Sequence, residues 1–415
     1  MRGKFYDKII IRCAFIYLFW MFFYGLIIKL TISNEFLFQI KTHVTDVMLI
    51  LIMMMAILKT KKITKSQFFL ASILLIEVLI NVVLHGVNSD VIIALLYATR
   101  GFIAPMLVGY TLINTSIDEE EIKKFFSWLK MTAIVFLVGN TVLSFMQAIR
   151  GYEWTSQFYT GYSFYGTDQY SKVRISMASD LLRTPGITGA FTSSATYSLL
   201  CMAYLIQECK SKFFQIVIMV LTLMSIWFTY NKTVLVLYMI ILILHLFINL
   251  PHTVKYTMLI IIFGGVGIGA IYIMSSMGIG VNEGELGFST FARIEFWKSL
   301  SDIVSPLEMI VPYNMVNYAA NGEGMLSCWD NFYLYCLFSF GVFGLYYFFK
   351  IIVKLYKINS YKKSDNSTFY LYLTIVLLLS GIFNNISNGK SFLGLFLIIN
   401  GIVWRNNLNK KVERT

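Results

Sequence analysis

The residues best suited to chemistry lie late in the chain, within a polar segment from about 276 to 344. Its second half reads FSTFARIEFWKSL and then CWDNFYLYCLFSFGVFG. If the first of these stretches is helical, Arg293 and Trp297 lie one turn apart on the same face. Asp330 and Asn331 open the apolar run that follows. A carboxylate such as Asp330 can act as a general base towards a hydroxyl group, and an N-cap role is the alternative.

A second group of cations lies near the middle of the chain. The segment LLRTPGITGAFTSSATYSLL places Arg183 at the start of a predicted helix, followed by Pro185, Gly186 and Gly189. A guanidinium group binds phosphate in bidentate fashion, and the N-terminus of a helix adds positive potential. Arg174, shortly before, strengthens the prediction of a phosphate clamp. The alternative is an arginine that extends its stem along the membrane surface.

Three further ionisable residues are candidates because of where they fall. Glu77 and Arg100 lie about ten residues from the outer ends of neighbouring predicted helices, or roughly 15 Å at the rise of an α-helix. At that depth they can pair, and charges inside a membrane mark function by default. Two interpretations remain open, a structural ion pair or an Arg100 that faces a cavity holding an anionic group. Lys232, in the short outer turn TYNKT, is either a solvated anchor or a ligand.

The elements that must position these residues are apolar. The chain is 57% hydrophobic and 13% charged, with a mean hydropathy of +0.69, which is typical of a polytopic membrane protein. Apolar runs close to the roughly 20 residues of a membrane-spanning helix predict about twelve helices, and therefore one all-α membrane domain over residues 1–415. These runs lie at about 9–29, 44–58, 67–86, 91–113, 128–148, 187–207, 213–229, 233–250, 256–275, 331–350, 369–385 and 390–404.

The basic residues predict the orientation of the chain in the membrane. Lysine and arginine fall mostly on segments that are cytoplasmic if both termini are inside, such as the KTKKITK cluster at 59–65. This bias accounts for the net charge of +12 without a nucleic-acid partner. It also puts the two longest connections, at about 149–186 and 276–330, on the outer face. Their Tyr, Trp, Gly and Ser residues suit sugar rings, although aromatic belts at a membrane surface have the same composition.

Several classes of protein are disfavoured by what the sequence lacks. It contains no P-loop, no H-E-x-x-H and no G-x-S-x-G, and none of its four histidines lies in the long loops. The five cysteines form no C-x-x-C pair and have no metal-site spacing. These patterns argue against a nucleotide-driven pump and against a zinc or serine hydrolase, and they predict chemistry without a metal or cofactor. The first apolar run lacks a small-residue cleavage site and therefore predicts a retained helix.

The motifs, in this order, resemble those of the O-antigen polymerase and O-antigen ligase superfamily, the Wzy and WaaL types. Members of that family look like GT-C-like membrane proteins of about twelve helices with two outer loops. The resemblance rests on the following positions: Arg183, Gly186, Asn231, Lys232, Arg293, Trp297, Asp330, Asn331, Tyr333, Leu334 and Gly341. Ligases of this group usually have His where this chain has Asp330, which favours a polymerase. Lys232, where Arg is common, keeps the charge and loses the bidentate fork.

The resemblance implies a metal-independent glycosyltransferase of the bacterial cytoplasmic (inner) membrane, with both termini cytoplasmic and its active site on the outer face. It would transfer a growing glycan from undecaprenyl diphosphate to the next lipid-linked repeat unit, in O-antigen, lipopolysaccharide or capsule biosynthesis. Asp330 would be the base, and Arg293 would stabilise the leaving diphosphate. The substrate-binding residues predicted from the resemblance are Arg183, Lys232, Asn331 and Trp297, and the position of their charges adds Arg100 and Arg174. The implied partners are the lipid-linked oligosaccharide, the bilayer, a chain-length regulator and a flippase.

Three other functions remain open at this stage. A ligase would pass finished polymer to lipid A core or to protein. A flippase or exporter of the same lipid-linked oligosaccharide predicts polar residues along a central path, whereas here, apart from Glu77 and Arg100, they gather in the outer loops. A purely structural membrane subunit would tolerate Arg293→Ala and Asp330→Ala with polymer of normal length.

Overall fold

The computed structural model describes residues 2–40, 43–86, 92, 96, 99–160, 176–178, 181–246, 331–360, 367–383 and 392–412. Several predictions concern other parts of the chain. Arg174, Arg293, Trp297, Asp330, the outer loop at 276–330 and the apolar run at 256–275 all lie outside the described residues. The backbone of Glu77 is described, and its side chain is not.

The described ranges are helical apart from one β-hairpin and a π-helical turn at Thr99–Ile103. The helices before the hairpin are α1 (Arg2–Phe22), α2 (Tyr24–Thr31), α3 (Glu35–Ile40), α4 (Val44–Thr60), α5 (Lys65–His85), α6 (Ala104–Ile113) and α7 (Glu119–Thr160). Those after it are α8 (Phe191–Glu208), α9 (Lys212–Thr229), α10 (Lys232–Leu246), α11 (Phe332–Ser360), α12 (Ser367–Phe383) and α13 (Phe392–Val412). Strands β1 (Ser176–Ala178) and β2 (Leu181–Arg183) pair antiparallel, with Ser176 opposite Arg183.

Some of these helices can cross a membrane. Within the described ranges, two are long and apolar enough, Glu119–Tyr159 of α7 and Lys212–Thr229 of α9, and α1 with α2 makes a third if the bent pair is one span. Their outward faces carry apolar side chains such as Val142 and Ile149, which are 58% and 63% exposed. Apolar faces of this kind are expected of helices that contact lipid tails rather than water.

One apolar core joins most of the helices. α1 packs between α4 and α7, α8 packs on α7 and α9, and α6 packs against α13. Aromatic rings form much of this core; Phe22 of α1, for example, lies 5.0 Å from Phe136 of α7 and 5.4 Å from Tyr197 of α8, measured between ring centroids. The helices α1, α7 and α8 therefore meet at Phe22.

The predicted straight span at about 9–29 is instead divided at Phe23, where α1 and α2 meet at 79°. The bend has a cause in another part of the chain. The Leu26 N–H donates a hydrogen bond of 3.2 Å to the carbonyl of Ile187. A Cβ atom on Gly25 would lie 2.4 Å from the Gly189 nitrogen, so only glycine allows this backbone contact.

Two other helices change direction at a glycine. α7 is interrupted at Gly151, where φ is 77°, and α11 at Gly341, where φ is 65°. Both values lie in the left-handed region that glycine enters without steric cost. The predicted run at 128–148 is thus the middle of a longer, broken helix. Gly341, one of the motif positions, is the point at which α11 turns.

The chain between the hairpin and α8 is a loop rather than the start of a helix. The apolar run at 187–207 predicts a helix from Ile187, whereas α8 begins at Phe191. Gly186 and Gly189 have φ values of 56° and 75°, and such left-handed conformations end regular helical geometry. We refer to residues 184–190 as the re-entrant loop, because it is buried among the helices along most of its length.

Candidate functional site

The re-entrant loop donates three hydrogen bonds to two helices, α7 and α9. The Thr184 N–H donates to the carbonyl of Phe228 at the end of α9 over 3.1 Å. The Gly186 N–H donates to Oε1 of Gln147 over 2.9 Å, and the Ile187 N–H donates to Oδ1 of Asn140 over 2.8 Å. Since a loop buried in an apolar bundle must satisfy its backbone groups within the protein, these side chains stabilise its position.

Asn140 is the centre of the polar contacts beneath this loop. Its Nδ2 lies 2.8 Å from Oγ of Ser194, 3.1 Å from Oγ of Ser198 and 2.6 Å from Oγ of Ser225. All four side chains are completely buried. Because the amide nitrogen of Asn140 donates into the middle of the cluster, the cluster repels cations. Its role is structural, since its hydrogen bonds join α7 to α8 and α9.

Arg183 is the last residue of β2 and lies at the mouth of α8. Its guanidinium carbon is 5.2 Å from the ring centroid of Phe191, the first residue of α8. The N-cap residue, Ala190, provides no side-chain hydrogen bond to the first turn. The first amides of a helix carry partial positive charge, and Arg183 lies near the residue at which α8 begins. The anion clamp that the sequence suggests at this position stays a prediction.

Arg100 lies in the π-helical turn before α6 and forms an ion pair. Its Nε is 2.8 Å from Oδ1 of Asp46, in the first turn of α4, and the two side chains are 27% and 29% exposed. Nδ1 of His43 lies 3.8 Å from the other carboxylate oxygen. The phenol of Tyr24, where α2 begins, is within electrostatic range of both charges. Because the side chain of Glu77 is outside the described residues, its contact with Arg100 stays a prediction.

Asn331 performs the capping role that the sequence analysis considered for its neighbour Asp330. Its Oδ1 accepts hydrogen bonds of 3.0 Å from both the Tyr333 and the Leu334 N–H groups. The next residue, Phe332, packs 6.1 Å from Phe102, measured between ring centroids. The start of α11 therefore lies next to the π-helical turn that carries Arg100.

Lys232 is the first residue of α10 and is exposed. Asn231 caps this helix, since its Oδ1 accepts from the Val234 N–H over 3.1 Å. Tyr230 has a φ of 48°, which is unusual for a bulky residue. A lysine beside the positive end of a helix lowers helix stability, so helix formation does not explain the cation at this position.

These contacts bring four predicted site residues, Arg183, Arg100, Lys232 and Asn331, to one end of the helix bundle. The bond between Thr184 and Phe228 joins the loop to the turn before Lys232. Helix α2 is bonded to the loop through Leu26, and Tyr24 at its start interacts electrostatically with Arg100 and Asp46. The opposite end of α1 carries a different charged group, in which Lys59 pairs with Asp7 and donates to the Ser116 carbonyl.

No family model and no curated relative matches this chain. Within the part of the chain that the structure describes, no group of three or more His, Cys, Asp or Glu side chains could hold a metal ion. A functional assignment therefore depends on the chain's own residues and their geometry.

Aromatic side chains form a surface beside the re-entrant loop. Nζ of Lys29 on α2 lies 3.3 Å from the ring centroid of Phe158, and the rings of Phe158 and Trp154 stack at 5.3 Å. Both aromatic residues follow the break in α7, in the described part of the predicted loop at 149–186. Stacked rings next to a cation suit either a sugar ring or the headgroup region of a membrane.

Sequence reasoning missed several residues that build the site, above all Asp46, Asn140, Gln147 and Tyr159. A signal for two of them was present. Asn140, Ser144 and Gln147 are spaced four and three residues apart in an otherwise apolar run, so they share one face of a helix. Polar residues on one face of a membrane helix point to contacts inside the protein. Asp46 had no comparable signal, because it lies near the start of the apolar run at 44–58.

Proposed function

We propose that this protein is a polysaccharide repeat-unit polymerase of about twelve membrane helices. It transfers the growing glycan from undecaprenyl diphosphate to the next lipid-linked repeat unit at the outer face of the bacterial cytoplasmic membrane. The observation that carries the proposal is the position of Arg183 beside the first residue of α8, with its guanidinium carbon 5.2 Å from the ring centroid of Phe191. Such a site is suited to a diphosphate.

The chemistry of this transfer requires positive charge more than any other feature. When the acceptor oxygen attacks the anomeric carbon, the bond from that carbon to the diphosphate breaks, and the diphosphate leaves with the electron pair. Cations and amides positioned for the developing charge lower the barrier. Arg183 and the amides of α8 are the proposed clamp, with Arg100 and Lys232 as further cations. A guanidinium has five N–H donors, so the Asp46 contact at Nε does not by itself preclude a role for Arg100.

Activation of the acceptor is assigned to Asp330, which directly precedes the capping residue Asn331. Its carboxylate would take the proton of the attacking hydroxyl group. Arg293, four positions before Trp297 in the sequence, is proposed as a fourth cation for the leaving group. Arg174 and Trp297 are proposed to bind the substrate. The assignments of Asp330, Arg293 and Trp297 rest on the sequence resemblance, and that of Arg174 rests on its place shortly before Arg183 in the sequence. The contact between Phe332 and Phe102, which brings the start of α11 close to the turn that carries Arg100, supports the first three.

Deletion of the gene tests the proposal and separates it from related functions. A polymerase mutant will make acceptor that carries a single repeat unit, detected by electrophoresis and mass spectrometry of the surface glycan. Bare acceptor would instead identify a ligase. Accumulation of repeat units on the inner leaflet would identify a flippase and overturn the proposal. An unchanged glycan would leave only a structural role.

A further inference from the structure

Gly186 is held on both sides of its peptide backbone by two buried side chains of α7. Its N–H donates to Oε1 of Gln147 over 2.9 Å, and its carbonyl accepts a hydrogen bond from the hydroxyl of Tyr159. Nε2 of Gln147 also donates to the Tyr159 hydroxyl over 3.2 Å. Gln147 is fully buried and Tyr159 is 1% exposed. The three groups form a closed ring of hydrogen bonds.

This ring exists only because α7 breaks at Gly151. Gln147 and Tyr159 are 12 positions apart in the sequence. In a straight helix, that separation would correspond to a rise of roughly 18 Å. With a φ of 77° at Gly151, the chain turns back so that the Tyr159 hydroxyl reaches Gln147. The segment after the break thus delivers a hydroxyl group to the re-entrant loop.

Gly186 itself cannot be replaced in this position. Its φ of +56° favours glycine, and a Cβ atom there would lie 2.2 Å from Oδ1 of Asn140 and 2.4 Å from Oγ of Ser194. Arg183 lies three residues earlier, and Thr184 is bonded to Phe228 between them. The backbone that follows Arg183 is therefore fixed by α7 and α9.

We propose that Gln147 and Tyr159 are positioning residues, which hold Gly186 so that Arg183 stays above the N-terminus of α8. This inference deepens the proposed function and rests on it for the role of Arg183. It assigns no contact between Gln147 or Tyr159 and the substrate. Their effect on transfer passes through the backbone of the loop.

The position of the loop can be measured without any activity. Arg183→Cys is introduced into a chain in which Cys209 and Cys328 are replaced by serine, and the rate of labelling by a membrane-impermeant maleimide is recorded. Gln147→Leu and Tyr159→Phe are then added separately. We expect each to change the labelling rate by about tenfold or more, because each removes two of the three hydrogen bonds in the ring. Thr141→Val is the matched control, because Thr141 is buried on the same helix and bonds to Leu221 instead of the loop.

Polymer length is then measured in chains that retain Arg183. Gln147→Leu is expected to shorten the polymer, and Gln147→Glu, which keeps an acceptor oxygen for Gly186, is expected to restore it. If neither Gln147→Leu nor Tyr159→Phe changes the labelling rate of Arg183→Cys, the positioning role is overturned, whatever the activity. Changed labelling in a protein whose deletion leaves the glycan intact would support the positioning role and overturn the polymerase. Tyr159→Phe removes only the hydroxyl group and keeps the buried aromatic side chain. It therefore keeps the test valid if Gln147→Leu fails to fold.

Discussion

Nε of Arg100 lies 2.8 Å from Oδ1 of Asp46, and this contact joins the π-helical turn to the first turn of α4. Less than a third of either side chain is exposed. In such a pair, loss of one partner leaves the other as a poorly solvated charge, which costs more than the pair itself contributes. Comparing the loss of one partner with the loss of both can therefore separate a structural role of Arg100 from a role in binding.

The first prediction concerns single and double removal of this pair. Arg100→Gln should lower the free energy of unfolding by roughly 1–3 kcal/mol, because Asp46 loses its charged donor. The double variant with Asp46→Asn should recover most of the loss. Unfolding in detergent, followed by intrinsic fluorescence, measures both.

Activity of the same double variant decides between the two interpretations of Arg100. If Arg100 binds the diphosphate, the double variant will be stable and still make short polymer. Polymer of normal length from the stable double variant would assign Arg100 to structure alone.

The second prediction concerns the close contact between α2 and the re-entrant loop. Gly25→Ala should destabilise the protein by about 1–3 kcal/mol or prevent folding, because the added methyl group would overlap backbone atoms that cannot rotate away. Gly3→Ala, in α1 with nothing within 4 Å of the added atom, is the control and should be neutral or slightly stabilising. Equal melting temperatures for the two variants would show that α2 and the loop are not in contact.

The third prediction concerns the buried amide of Asn140. Asn140→Ala leaves the Ile187 N–H without its acceptor, and it should cost roughly 1–3 kcal/mol. Asn114→Ala is a suitable control, because the Asn114 side chain is only partly buried and bonds to the carbonyl of Tyr110 in its own helix. Thermal unfolding of both variants in one detergent makes the comparison. A larger loss for Asn114→Ala would contradict the central place of Asn140.

The fourth prediction is a pH dependence at the opposite end of the bundle. The Glu120 N–H donates to Asp118 over 3.1 Å, and this bond, together with Lys4 at 3.3 Å, lowers the pKa of the Asp118 carboxyl group. Lys59 adds attraction of the same sign. Because the pKa of Asp118 is lower in the folded state, its carboxylate contributes stability in full when the pH is above its pKa in the unfolded state, about 3.9. That contribution is lost as the pH falls through the lower folded value.

Asp118→Asn isolates this charge, since asparagine caps a helix about as well as aspartate. The wild type should melt at a higher temperature than Asp118→Asn at neutral pH. The difference should shrink only when the pH falls below about 4. A difference that persists unchanged at lower pH, or that shrinks as the pH rises, would contradict the assignment.

Runs of apolar residues predicted several helices well. The expected runs at 44–58 and 213–229 correspond closely to α4 (Val44–Thr60) and α9 (Lys212–Thr229). The bend at Phe23 and the loop before Phe191 were not predicted, because hydropathy does not report the direction of the backbone. The bend depends on a contact between distant parts of the chain, Leu26 with Ile187. The loop depends on that contact and on side chains of α7 that are 27 to 47 positions away in the sequence.

The candidate cations could be named from the sequence, whereas the residues that contact them could not. Arg183, followed by Pro185 and Gly186, pointed to the entrance of a helix because these residue types have strong backbone preferences. The partner of Arg100 was sought by depth along straight helices, which directs attention to Glu77. Asp46 reaches Arg100 from the first turn of α4, so its partnership depends on the packing of α4 against α6 and on the π-helical turn.

The most direct test of the account is complementation of the deletion strain with wild type or Arg183→Ala, at matched amounts of protein in the membrane. The wild type should restore the full ladder of polymer lengths. Arg183→Ala should leave the acceptor with a single repeat unit, because the proposed diphosphate clamp would lose its guanidinium group. A full ladder from Arg183→Ala would contradict the account.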